Sequence, residues 1–83
     1  MDTISVSIDA FLEQFNKEYA FLYENRDRVA GYREAVDAFD EFIKDERHAV
    51  FVGEFANYRG DFVSSDREAA AFMFAMEAVG AFG

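Results

Sequence analysis

Ala49-Val50-Phe51-Val52-Gly53-Glu54-Phe55, followed after Asn57-Tyr58-Arg59-Gly60 by Asp61-Phe62-Val63-Ser64, is the stretch on which the fold turns. Both runs are rich in β-branched and aromatic residues, and the segment between them carries Gly60 where a left-handed turn residue belongs. The pattern predicts a β-hairpin. Just downstream, Ser65-Asp66-Arg67-Glu68 has the spacing of a capping box, opening a helix over Ala69 to Phe82 that is interrupted only by Glu77. A helix apolar on most of its faces has to be covered on most of them, by its neighbours or by a second copy of the chain.

Upstream, Ile8, Phe11, Leu12, Phe15, Tyr19 and Leu22 form one apolar helix stripe, with Ser7 or Asp9 as its N-cap. A second stripe runs through Val29, Tyr32, Val36, Phe39 and Ile43. On an unbroken helix it would sit roughly 80° from the first, so a break is expected between Asn25 and Gly31. Thr3 to Ser7 alternates polar and apolar residues and suits a short edge strand. The expected class is α+β: one small domain over residues 1–83, with two N-terminal helices, a β-hairpin and a C-terminal apolar helix, in the order (β)-α-α-β-β-α.

Composition narrows the function. With no Cys there is no disulfide framework, thiolate metal site or cysteine nucleophile, so hydrophobic packing must hold the chain together. Apolar residues at 52% and eleven Phe exclude a disordered acidic tail. A net charge of −9 repels nucleic acid and anionic membrane and attracts cationic surfaces. Met1 to Asp9 has no basic segment ahead of an apolar one, and Ala69 to Phe82 is too short to cross a bilayer. A cytoplasmic protein is expected, with no membrane partner.

No catalytic constellation is visible. His48 is the only histidine, and Asp45-x-x-His48 by itself is a poor metal motif, far more often a histidine of no functional role. Ser-His-Asp chemistry and Gly-rich phosphate loops are missing from the sequence. Arg59-Gly60-Asp61 reads as turn chemistry, not as an integrin ligand. Glu77 on its apolar helix is expected to reach the surface or to meet one cation. The protein therefore reads as a non-enzyme without cofactor or metal.

The charge pattern is more specific. Glu34, Asp37, Glu41 and Asp45 fall within about 80° of one another on a helix, and the like-charge i,i+4 pairs Asp37–Glu41 and Glu41–Asp45 each cost a few tenths of a kcal/mol. Spread over about 16 Å of helix, the four carboxylates form a row comparable with the phosphates of one DNA strand. Glu13, Glu24 and Asp27 would extend this row if the first helix lay beside the second. Net charge is −4 over residues 1–24, −2 over 25–47 and −3 over 48–83, so no segment owns it. High acidity also marks proteins of saline cytoplasm, although those usually carry less aromatic bulk than eleven Phe.

In size, acidity and lack of catalytic residues the chain resembles the small anti-defence proteins of bacteriophages, particularly anti-CRISPR proteins and DNA-mimic inhibitors. The resemblance lies in composition and carries no diagnostic motif. It implies a non-enzymatic inhibitor, a monomer or homodimer, that binds the basic DNA-binding surface of a host defence complex such as a CRISPR effector and blocks its target DNA. The competing expectation is a small regulatory module that binds a protein partner through the apolar C-terminal helix and the hairpin.

Overall fold

The computed structural model describes residues 6–25 and 29–81. Among them there are four helices and no strand: α1 (Ile8–Asn25), α2 (Tyr32–Phe42), α3 (Glu46–Arg59) and α4 (Asp66–Ala78). The α+β expectation is thereby overturned. The supposed first hairpin strand, Ala49 to Phe55, lies inside α3, and Asp61 to Ser64 is the connection between α3 and α4.

The physical reason is a helical period hidden by apolar residues on the wrong face. Phe51, Phe55 and Ala56 are buried, with Val52 beside them, at the i, i+1, i+4, i+5 spacing of a helix face. Val50 is exposed on the opposite face, and it joins Ala49, Phe51 and Val52 into an unbroken apolar run of the kind a buried strand also shows. Two end signals frame the helix. Asp45 is its N-cap, accepting from the Arg47 N–H at 2.9 Å. Gly60, at φ 80°, ends it, and the Gly60 and Asp61 N–H groups both donate to the Ala56 carbonyl at 2.8 and 3.1 Å. The left-handed glycine was legible, but it terminates a helix and does not turn a hairpin.

The other elements follow their sequence signals more closely. Ser7 starts α1: its hydroxyl accepts from the Ala10 N–H and its carbonyl from the Phe11 N–H. The break falls between Asn25 and Gly31, and Gly31, at φ 83°, leads into α2. Ser65 caps α4 by accepting from the Glu68 N–H at 3.1 Å. Glu68 in turn accepts from the Ser64 N–H at 2.8 Å, so the box reaches one residue further back than its standard form. The Thr3–Ser7 strand falls mostly outside the described residues, and Val6 and Ser7 have no regular structure.

The core is an aromatic cluster built on α4. Phe72 is fully buried, and its ring meets Phe11 of α1 at 4.8 Å, Phe39 and Phe42 of α2 at 5.4 and 5.8 Å, and Phe51 and Phe55 of α3 at 6.0 and 5.5 Å. Most of these pairs are edge-to-face, the arrangement the ring quadrupoles favour. Small residues, Ala69, Ala70, Ala71 and Ala75, let the neighbouring helices approach α4 closely. The helix packs chiefly against α1 and α2, while α1 also touches α3. The expected cover for the apolar C-terminal helix is thus supplied by the chain itself.

One face shifts at the end of α2. Phe42, off the stripe in the sequence reading, is buried, whereas Ile43 is 39% exposed because the helix ends at Phe42 and the chain turns. His48 fills the corner. Its ring stacks on that of Phe42 at 4.1 Å, and its Nδ1–H donates at 3.0 Å to the Phe42 carbonyl, which also accepts from the Asp45 N–H at 3.3 Å. At the other end of α3, Arg59 organises the connection to α4. Its Nε–H donates to the Asp61 carbonyl, and its Nη2 donates to the Phe62 carbonyl and to Glu68 Oε2 at 3.1 Å. The guanidinium also lies over the rings of Phe15 and Phe55.

Candidate interaction surface

The structure keeps three of the four carboxylates of the expected ridge together. Glu34, Asp37 and Glu41 lie exposed on the face of α2 opposite Val36 and Phe39. Asp45 does not belong with them. The helix stops three residues earlier, and the Asp45 carboxylate caps α3 while forming an ion pair with Arg47 Nη2 at 3.0 Å. The Arg47 side chain and the Arg47 backbone N–H hold its carboxyl down at a pKa of about 2. This is a structural role, and it shortens the row from about 16 Å to about 10 Å.

Asp40, absent from the expected ridge, is a further acid of α2 that lies about 60° around the helix from Asp37, on the side away from Glu34 and Glu41. It is exposed on α2, three residues from Asp37 and six from Glu34, and has no cation beside it among the described residues. Its signal was an i,i+3 relation to Asp37, outside the narrow angular window set by the other four acids. Glu41 is less available, since Lys44 Nζ lies 3.0 Å from its carboxylate. Glu13 and Glu24 are exposed on α1, which packs chiefly on α4. Asp27 lies outside the described residues.

Among the described residues the cations are largely occupied within the fold. Arg33 pairs with Asp66 at 3.4 Å, Lys44 with Glu41, Arg47 with Asp45 and Arg59 with Glu68, while the Arg67 guanidinium sits over the Tyr23 ring at 4.7 Å. Among the described ion pairs Arg59–Glu68 alone is shielded, with side chains 13% and 14% exposed. Burial pushes the Glu68 carboxyl upward, but the Ser64 N–H and the Arg59 guanidinium outweigh it and bring the group below its ordinary value.

Helix ends sharpen the electrostatic picture. The last turns of α1, α2 and α4 contain no basic residue, yet they hold Glu24, Asp40 with Glu41, and Glu77. The carbonyl end of a helix carries partial negative charge, so an acid there costs about 0.3–1 kcal/mol at low salt. Among the described residues α3 alone ends on a cation, Arg59, and that residue is committed to the α3–α4 connection. The acids thus stand where folding disfavours them.

Two shallow hollows accompany the charged surface. One, of about 380 Å³, lies along α3 under the 77%-exposed Phe62 and is lined by Gly53, Ala56 and Asn57. The other, of about 250 Å³, lies between α2 and α4, with Ala35, Ala38, Met73 and Phe74 as its walls and Glu34 and Glu77 as its carboxylates. No cluster of metal-ligating side chains occurs among the described residues, and Asp45 and His48 are occupied as described above. No helix among them is long and apolar enough to cross a membrane. The surface expected for a module docking through the apolar C-terminal helix is largely gone, because Ala69 to Phe72, Ala75 and Met76 are core residues and the hairpin does not form. No protein family matches this chain, and neither does any curated protein or solved structure.

Proposed function

We propose that the chain is a non-enzymatic acidic inhibitor acting in a bacterial cytoplasm. It occupies the basic surface of a nucleic-acid-binding protein or complex, of the CRISPR-effector kind, and excludes target DNA by presenting a substitute for its charge. The observation that supports this reading is the placement of acids at the C-terminal ends of α1, α2 and α4 with no basic residue in those turns. Solubility alone does not require charges at the positions where they destabilise the helices that carry them. A cationic partner would relieve that repulsion on binding, which makes the charge a binding determinant. Glu34, Asp37 and Asp40 on α2 are the centre of the surface, and Glu13 and Glu24 add long-range attraction from α1.

The test is capture from bacterial lysate at low salt, using tagged protein and a variant carrying Glu34→Gln, Asp37→Asn and Asp40→Asn. The expected result is a nucleic-acid-binding complex that is released by added duplex DNA and is not retained by the variant. A partner indifferent to DNA, or one held equally by the variant, would overturn the reading.

A further inference from the structure

The hollow between α2 and α4 combines an apolar floor with two carboxylates, and among the described residues no cation lines it. Ala35, Ala38, Met73 and Phe74 supply the apolar part, and Glu34 and Glu77 the charge. Its volume of about 250 Å³ is below the roughly 300–1,000 Å³ of pockets that enclose small-molecule ligands, and suits a single long side chain. Glu77 is also the acid of the last turn of α4, where the helix itself disfavours it. Arg33, the residue next to Glu34, is paired with Asp66 and does not line the hollow.

We propose that this hollow receives an arginine side chain from the basic surface of a protein partner. The inference rests on the acidic-inhibitor reading and deepens it by naming the group recognised. The methylene stem of the arginine lies against Ala35, Ala38 and Met73, burying apolar surface that a phosphate mimic made of carboxylates alone would leave wet. Its guanidinium reaches Glu34 and Glu77, and the Phe74 ring offers a face for a weakly hydrated planar cation. A lysine matches the charge but not the planar, forked donor geometry, so arginine is preferred. Charge complementarity sets the class of partner, and the apolar floor sets the residue.

The experiment measures fluorescence anisotropy of a short fluorescein-labelled arginine-rich peptide, and of its lysine counterpart, with the full chain at low salt. Glu34→Gln with Glu77→Gln removes the charge and keeps the shape. Ala38→Leu fills the hollow and keeps the charge, on an exposed helical site where leucine is well tolerated. Glu46→Gln with Glu54→Gln is the control, removing two exposed acids of α3 that lie outside the proposed surface. The expected result is about tenfold weaker arginine-peptide binding for each of the first two variants and about twofold or less for the control. Amide shifts on titration should cluster at Ala35, Ala38, Met73 and Phe74. Helical circular dichroism and melting of every variant establish that they are folded. Equal losses in control and groove variants would overturn the groove while leaving the acidic-surface reading standing, and lysine binding as tight as arginine would overturn the arginine assignment. Failure of both peptides to bind the wild-type chain would overturn the groove and the acidic-surface reading together.

Discussion

Removing the acids at three helix ends should make the protein more stable. Glu24, Asp40 and Glu77 occupy the last turns of α1, α2 and α4, and no basic residue shares those turns. Each is exposed, so converting it to its amide keeps side-chain volume and helix propensity nearly unchanged while removing the unfavourable interaction with the helix dipole. At about 0.3–1 kcal/mol apiece, and with the sites on three different helices, the triple variant Glu24→Gln, Asp40→Asn, Glu77→Gln should gain about 1–3 kcal/mol at low ionic strength. For a domain of this size a gain of about 1 kcal/mol raises the melting temperature by about 4–8 °C.

Urea denaturation followed by circular dichroism, run near 10 mM and again near 1 M salt, reads the effect directly. The Debye length falls from about 30 Å to about 3 Å between those conditions, so the gain should be largest at low salt and mostly vanish at high salt. A variant that is less stable than the wild type, or one whose gain ignores salt, would refute the argument that these acids oppose folding. The same triple variant should bind a cationic partner more weakly. Stability and function would then move in opposite directions, as expected where function maintains an unfavourable charge.

Four further expectations follow from the packing and the capping. Phe72→Ala should cost about 3–5 kcal/mol in urea denaturation, a large part of the roughly 4–12 kcal/mol expected for 83 residues, while Phe62→Ala at the exposed α3–α4 connection should stay within about 0.5 kcal/mol. Arg59→Ala removes the partner of a shielded Glu68, two carbonyl contacts and the cover over Phe15 and Phe55, and should cost about 3–5 kcal/mol by the same assay. Because the folded Glu68 carboxyl titrates below its ordinary value of 4.5, its contribution is present above that pH and lost as pH falls through the lower folded value; Glu68→Gln should flatten that part of the acid-unfolding curve. Asp45, held at about 2 against an ordinary 3.8, acts in the same direction, so Asp45→Ala should lower the melting temperature at pH 7 and remove the loss of stability between pH 3.8 and about 2.

How far the sequence could be read depended on how clearly one apolar face stood out. In α1 the stripe was long enough to show even with Phe21 and Tyr23 exposed off it: Phe11, Phe15 and Leu22 are core residues at the spacing that predicted them. The break before Gly31 and the Ser65 cap were equally plain, because each depends on a few residues with strong local preferences. In α3 the exposed Val50 masked the period of Phe51, Phe55 and Ala56, and β-branched residues suggested a strand that tertiary packing overrode. The end signals, Asp45 and Gly60, enclosed a length typical of a helix and were the better guide. The candidate surface failed at one point for a related reason. Asp45 was placed on the angular register of α2, although a helix that ends at Phe42 hands the residue to the next helix as its cap. Which carboxylates lacked cations was not legible at all, since Arg33–Asp66 and Arg59–Glu68 join residues that meet only through the fold of α4 against its neighbours.

The central claim is that acidic charge on this small helical fold recognises a cationic, nucleic-acid-binding surface. Its most direct test is the affinity for the captured partner measured as ionic strength rises from about 50 to about 200 mM, beside the partner's affinity for duplex DNA over the same range. The account predicts that both affinities fall by about tenfold or more, and that DNA and this protein compete for one site. An affinity that stays flat with salt, or simultaneous binding of DNA and protein to the partner, would contradict it.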